Sequence, residues 1–145
     1  MRKLALLAFL LLPLTALLSL GALFSLAARA AEPNLRLELN ALETAENRCR
    51  MTFVIENKHP NAVETFKIDL ALFNPEGTVY RRMVIDIAPM RPAKTIVKTF
   101  ATDGDCGQLS SLLVNEVSAC TPGDPATCID DLALSSRVKA VKLYK

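Results

Sequence analysis

The chain has no tryptophan, two tyrosines, one histidine and only five glycines. Each scarcity removes a class of function. Without tryptophan, and with few aromatics outside the apolar runs, no stacking platform for sugars is evident. A single histidine leaves no second imidazole for a metal set. None of the four cysteines has C-x-x-C spacing either, so no zinc site is expected. His59 stands in Asn57-Lys58-His59-Pro60-Asn61 and reads as a solvated loop residue. A Cys–His nucleophile would need a low-pKa thiol beside that histidine, and nothing local supplies one. G-x-S-x-G, a phosphate-cradling glycine loop and H-E-x-x-H are all missing. Neither an enzyme nor a bound cofactor is expected.

The N-terminus carries what the rest lacks, a long hydrophobic run. Arg2 and Lys3 precede an apolar stretch from Leu4 to Ala28, and Ala28-Arg29-Ala30 places small residues at the two positions a signal peptidase reads. A basic start, an apolar centre and an A-x-A site describe an export signal over residues 1–30. The alternative is a retained membrane anchor, because the run exceeds the ~20 residues needed to span a bilayer. Pro13, Gly21 and the A-x-A site favour cleavage near Ala30. Arg2-Lys3 is not a twin arginine, which points to general secretion.

Cleavage changes the charge balance. The whole chain has 17 basic and 15 acidic residues, and the leader takes with it Arg2, Lys3 and Arg29 but no acid. A nearly neutral domain over residues 31–145 has no basic face for nucleic acid. In an exported chain, the even set Cys49, Cys106, Cys120 and Cys128 reads as two disulfides.

The remaining sequence is built around Cys49–Arg82. Met51, Phe53 and Ile55 share one face against Arg50, Thr52 and Glu56; Phe66, Ile68, Leu70 and Leu72 alternate with Lys67, Asp69 and Ala71. A period of two marks half-buried antiparallel strands. Asn74-Pro75-Glu76-Gly77 supplies a turn. A first strand is expected through Leu35, Leu37 and Leu39, followed by a charged connection from Ala41 to Arg48. The second runs Cys49–Glu56, the third Glu64–Phe73, and the fourth Thr78–Ile87, with Met83, Ile85 and Ile87 on one face. Pro89 and Pro92 end the fourth strand. In the fifth, Lys94–Ala101, the inward phase is open between Ile96/Phe100 and Val97/Thr99. Ser111–Cys120 reads as a central strand, with a short helix over Gly107–Leu113 as the alternative. Thr121–Thr127 reads as a loop, Cys128–Leu134 as a helical turn, and Arg137–Tyr144 as the last strand.

Seven strands with short polar connections predict an all-β domain, an immunoglobulin- or fibronectin-like antiparallel β-sandwich. The first, second and fifth strands would form one sheet, and the fourth, third, sixth and seventh the other. That order brings the start of the second strand to the end of the fifth, pairing Cys49 with Cys106 and Cys120 with Cys128. Asp103-Gly104-Asp105 reads as a turn rather than a calcium loop, and Asp130-Asp131 as the start of the helical turn. The fourth strand is the candidate edge for a partner, at Tyr80, Arg81, Arg82 and Met83. The competing reading makes Arg81 and Arg82 gatekeepers that keep that edge unpaired.

Two resemblances accompany these residues. Phe53-Val54-Ile55-Glu56-Asn57, Leu70 to Gly77 and Ile87-Ala88-Pro89 are similar to small immunoglobulin-like accessory domains, a generic likeness over roughly residues 50–100. Leu35 to Asn40, Val114 to Cys120 and Ser135-Ser136-Arg137 resemble a family of uncharacterised exported proteins of Gram-negative bacteria, often labelled signal-sequence-domain proteins. That likeness implies a periplasmic location and carries no activity or functional residues with it. The function expected is a non-catalytic periplasmic binding or accessory module engaging a protein partner in the cell envelope. A membrane-tethered subunit of an envelope complex and a small-ligand-binding envelope protein are the alternatives; the membrane is met only through the N-terminal segment. Intact-mass spectrometry of the exported protein is expected to show residues 1–30 gone; their retention would identify the tethered form.

Overall fold

The computed structural model describes residues 32–145; the expected export signal over residues 1–30 lies outside the described residues. Eight strands form two sheets, and the side chains facing inward from both make one hydrophobic cluster. The first sheet is ordered β5-β2-β1-β7 and the second β4-β3-β6-β8. The strands are β1 (Leu35–Ala45), β2 (Arg48–Asn57), β3 (Thr65–Phe73), β4 (Val79–Asp86), β5 (Lys94–Asp103), β6 (Ser111–Thr121), β7 (Leu132–Ser136) and β8 (Lys142–Tyr144).

The two-residue period is obeyed where it is strongest. Met51, Phe53 and Ile55 in β2 and Phe66, Ile68, Leu70 and Leu72 in β3 are all buried, and their alternates turn to the other face. In β5 the open phase resolves to Ile96 and Phe100, which pack on the cluster, while Val97 is left 63% exposed. The expected partition of strands between sheets also holds.

Several expectations are corrected. The charged segment Ala41–Arg48 is not a connection. After a bulge at Asn40, β1 runs on to Ala45 and turns into β2 through Glu46 and Asn47, both at positive φ (52° and 57°). This two-residue hairpin contains no glycine, so the usual sign of a tight turn is missing. The central-strand reading of Ser111–Cys120 holds as β6, and in place of the alternative short helix over Gly107–Leu113 there is a single 3-10 turn at Cys106–Gln108. The helix α1 is Pro125–Asp130, earlier than expected. Asp124 caps it, its carboxylate accepting from Thr127 N–H at 3.0 Å, and proline opens it. Asp131 therefore sits at the end of the helix, not the start.

A further correction concerns the last strand. Of Arg137–Tyr144 only Lys142–Tyr144 forms a strand, β8 alongside β6, while β7 forms alongside β1 from residues read in part as the helical turn, and both pairings are parallel. The sheets are therefore mixed rather than all-antiparallel, within the expected two-sheet all-β class. Leu132 and Leu134, two apart, are spaced for one face of a strand. The unpaired side of β1 takes up that strand, since Leu35–Leu39 pairs with Leu132–Ser136.

His59 is likewise no free loop residue. Its Nε2 lies 2.7 Å from Asp131 Oδ2, while Asp131 Oδ1 accepts from the Asn34 backbone N–H at 2.8 Å. Lys145 Nζ donates to the carbonyls of Ile129, Asp130 and Leu132, covering the open end of α1. One junction thus gathers the start of β1, the β2–β3 loop and the C-terminus. On β1, Glu38 is held below the usual carboxylate range, first by the Asn40 amide and then by Arg137.

Two disulfides close the fold with the expected pairing, Cys49–Cys106 and Cys120–Cys128. They span 57 and 8 positions of sequence. On the chain-entropy account, loops of those lengths give the first bridge about 4 kcal/mol and the second about 2.5 kcal/mol. Urea unfolding of the oxidised protein should therefore rank the double alanine variants. Removal of Cys49 and Cys106 is expected to cost more than removal of Cys120 and Cys128.

Candidate partner-binding edge

β4 lies at the end of its sheet and, among the described residues, pairs only with β3. Which of its backbone groups remain free follows from the ladder. Ile87 N–H donates to Phe66 C=O at 2.9 Å. In an antiparallel pair, N–H and C=O of one residue point the same way and alternate along the strand. Ile85, Met83 and Arg81 thus turn their backbone polar groups to β3, and Asp86, Val84 and Arg82 turn theirs to the open side. The Asp86 carbonyl is met there by Lys98 Nζ of β5, at 3.1 Å.

The four residues singled out from the sequence all lie on this strand, and each side chain already has an occupation. Tyr80 and Met83 pack against the core, and burial pushes the Tyr80 phenol up. Arg81 reaches toward Asp103 of β5, Nη2 to Oδ2 at 3.8 Å, in an exposed pair of little energetic consequence. Arg82 forms an ion pair with Asp69 of β3, which holds its guanidinium more firmly charged. Asp69 also accepts from Asn115 Nδ2 at 3.0 Å. Its side chain is only 7% exposed, against 60% for Arg82. Arg82 therefore keeps donors free for a neighbour.

Asp69 is buried on the outer face because β6 is irregular there. Register shifts place Asn115 and Ser118 as extra residues opposite β3, which aims Asn115 at the carboxylate. Asp69, Arg82, Met83, Val84, Glu116 and Ser118 line a shallow open depression of about 270 Å³. The edge thus has an apolar step, Val84, beside a polar floor. Val84 is 58% exposed and was not among the residues singled out. A signal for it existed: with Met83, Ile85 and Ile87 facing inward, a β-branched apolar residue stands at an outward position. The opposite rim is joined to β5 by Lys98, whose ammonium also donates to the Ala88 carbonyl at 2.8 Å.

The fold and this edge define a two-sheet all-β domain stapled by two disulfides, which suits an oxidising, exported environment. Among the described residues no helix is long and apolar enough to cross a membrane. No family model matches the chain, and no curated protein matches it. Among solved structures it is similar to IrmA from Escherichia coli, with a TM-score of 0.55 at 11% identity. The match covers 72% of this chain and 91% of that one. At this identity the likeness concerns the fold alone.

The ion pair is asymmetric, and so are its deletions. Asp69→Ala releases Arg82 into water, where it already largely lies. Arg82→Ala strands a buried carboxylate with one amide for company, which is the costlier outcome. Thermal unfolding at neutral pH is expected to show the larger drop in Tm for Arg82→Ala.

Proposed function

We propose that this protein is a non-catalytic binding or accessory module of the periplasm that engages a protein partner along the free edge of β4. The observation that carries this reading is the outward row of Arg82, Val84 and Asp86, with backbone donors and acceptors turned away from β3 beside an exposed Val84. An extended chain laid along such an edge gains main-chain hydrogen bonds, and the alternating side chains supply specificity. The open form of the depression also favours a protein surface over a small molecule, because small ligands are held in enclosed clefts. The export signal read from the N-terminus and the two disulfides support a periplasmic address.

The test is site-specific photo-crosslinking in whole cells, with the probe at position 84 or, for comparison, at position 97 on the exposed face of β5. A protein adduct at 84 and none at 97 is the expected result. Absence of any adduct at 84 would remove the reading.

A further inference from the structure

We propose that one partner of this edge is a second copy of the chain, its β4 lying antiparallel to the first about a two-fold axis at Val84. The inference rests on the reading of β4 as a contact edge and names its occupant. The argument is one of register. A two-fold axis perpendicular to a sheet keeps outward side chains outward, so each residue must face another of the same phase. A two-fold at Met83 or Ile85 passes through a non-bonded pair and sets Val84 opposite Arg82 or Asp86, pairing no opposite charges; a two-fold at Arg82, Val84 or Asp86 passes through residues whose own N–H and C=O are free.

Charge decides among the three. Centring on Arg82 sets arginine opposite arginine, and centring on Asp86 sets aspartate opposite aspartate; like charges directly opposed are destabilising. Centring on Val84 sets valine against valine, with Arg82 of each copy opposite Asp86 of the other. The same register makes all three free residues of each strand into hydrogen-bonded pairs. Arg82 can serve both Asp69 and the second copy's Asp86, because a guanidinium has five donors in a planar fork. Lys98 takes one lone pair of the Asp86 carbonyl and leaves the second for the new ladder.

The edge-blunting side chains do not oppose this register. Arg81, in the inward phase, falls opposite Ile87 of the second copy rather than its own counterpart, and its head is drawn aside toward Asp103. The product is one continuous sheet of eight strands, four from each copy. An outward apolar residue flanked at two positions on either side by opposite charges is what such self-pairing needs.

Sedimentation velocity of the exported, disulfide-bonded protein over a concentration series tests this. The wild type is expected to shift reversibly from monomer to dimer as concentration rises. Val84→Lys opposes two ammonium groups at the axis, and Asp86→Arg opposes two arginines beside it. Each should weaken the dimer about tenfold or more, while Val97→Lys on β5 leaves it unchanged. Circular dichroism and the unfolding midpoint confirm that each variant is folded, and exposure of all three positions makes that the expected result. A wild type monomeric at every concentration, a Val84→Lys dimer as tight as the wild type, or equal loss in Val97→Lys would overturn the proposal. Failure here is separable from failure of the wider reading. A monomer in solution, with an adduct to a different protein at position 84 in cells, refutes the dimer and keeps the edge. No dimer and no adduct refutes both.

Discussion

Cys49 lies at the start of β2, and its bridge to Cys106 pins the chain just after the end of β5 to that point. Around the bridge, Gly104 N–H donates to Asn47 C=O at 2.9 Å and Cys106 N–H to the Thr44 hydroxyl at 3.0 Å, so the β1–β2 turn is fixed as well. With that end held, β5 runs beside β2 without a register shift from Asp103 back to Lys94. Its inward phase carries Lys98 to the β4 carbonyls and its end carries Asp103 toward Arg81. The open flank of the molecule, two sheet edges joined by these polar ties, is thus anchored at one end by a covalent link.

The opposite flank is held differently. There the chain after β6 crosses between sheets twice, first into β7 and then into β8. Short parallel pairings contribute few hydrogen bonds, and the local anchors compensate: the Cys120–Cys128 bridge, the Asp124 cap, the His59–Asp131–Asn34 set and Lys145 on the end of α1. None of these contacts joins neighbours in sequence except the cap. They explain why a helix of six residues, too short to be stable alone, persists here.

The outer surface of β3 shows how a functional face is assembled from parts that are individually unremarkable in sequence. Asp69 reads there as one polar residue of an alternating strand. It becomes a buried anchor only because two extra residues in β6 swing Asn115 over it and because Arg82 lies across the adjacent strand. Bulges have no residue code of their own; they arise when two strands of unequal length must share one ladder. Val84 differs, since its exposure was implied by the phase of its neighbours.

Periodicity alone determined the class of fold and the inward faces of β2 and β3. The reason is that pleating converts a two-residue pattern directly into sides, and burial of apolar sides requires two sheets. The partition of strands between sheets came from an immunoglobulin-like strand order laid on that pattern. The disulfide pairing followed from that partition, since it is a statement about which strand ends meet. Tertiary structure alone decided the glycine-free turn at Glu46–Asn47, the parallel pairings of β7 and β8, the engagement of His59 and the free backbone groups of β4. Those features depend on what lies across a gap in space. A strand's own residues specify which side is apolar, but they do not specify which neighbour will take its remaining hydrogen bonds.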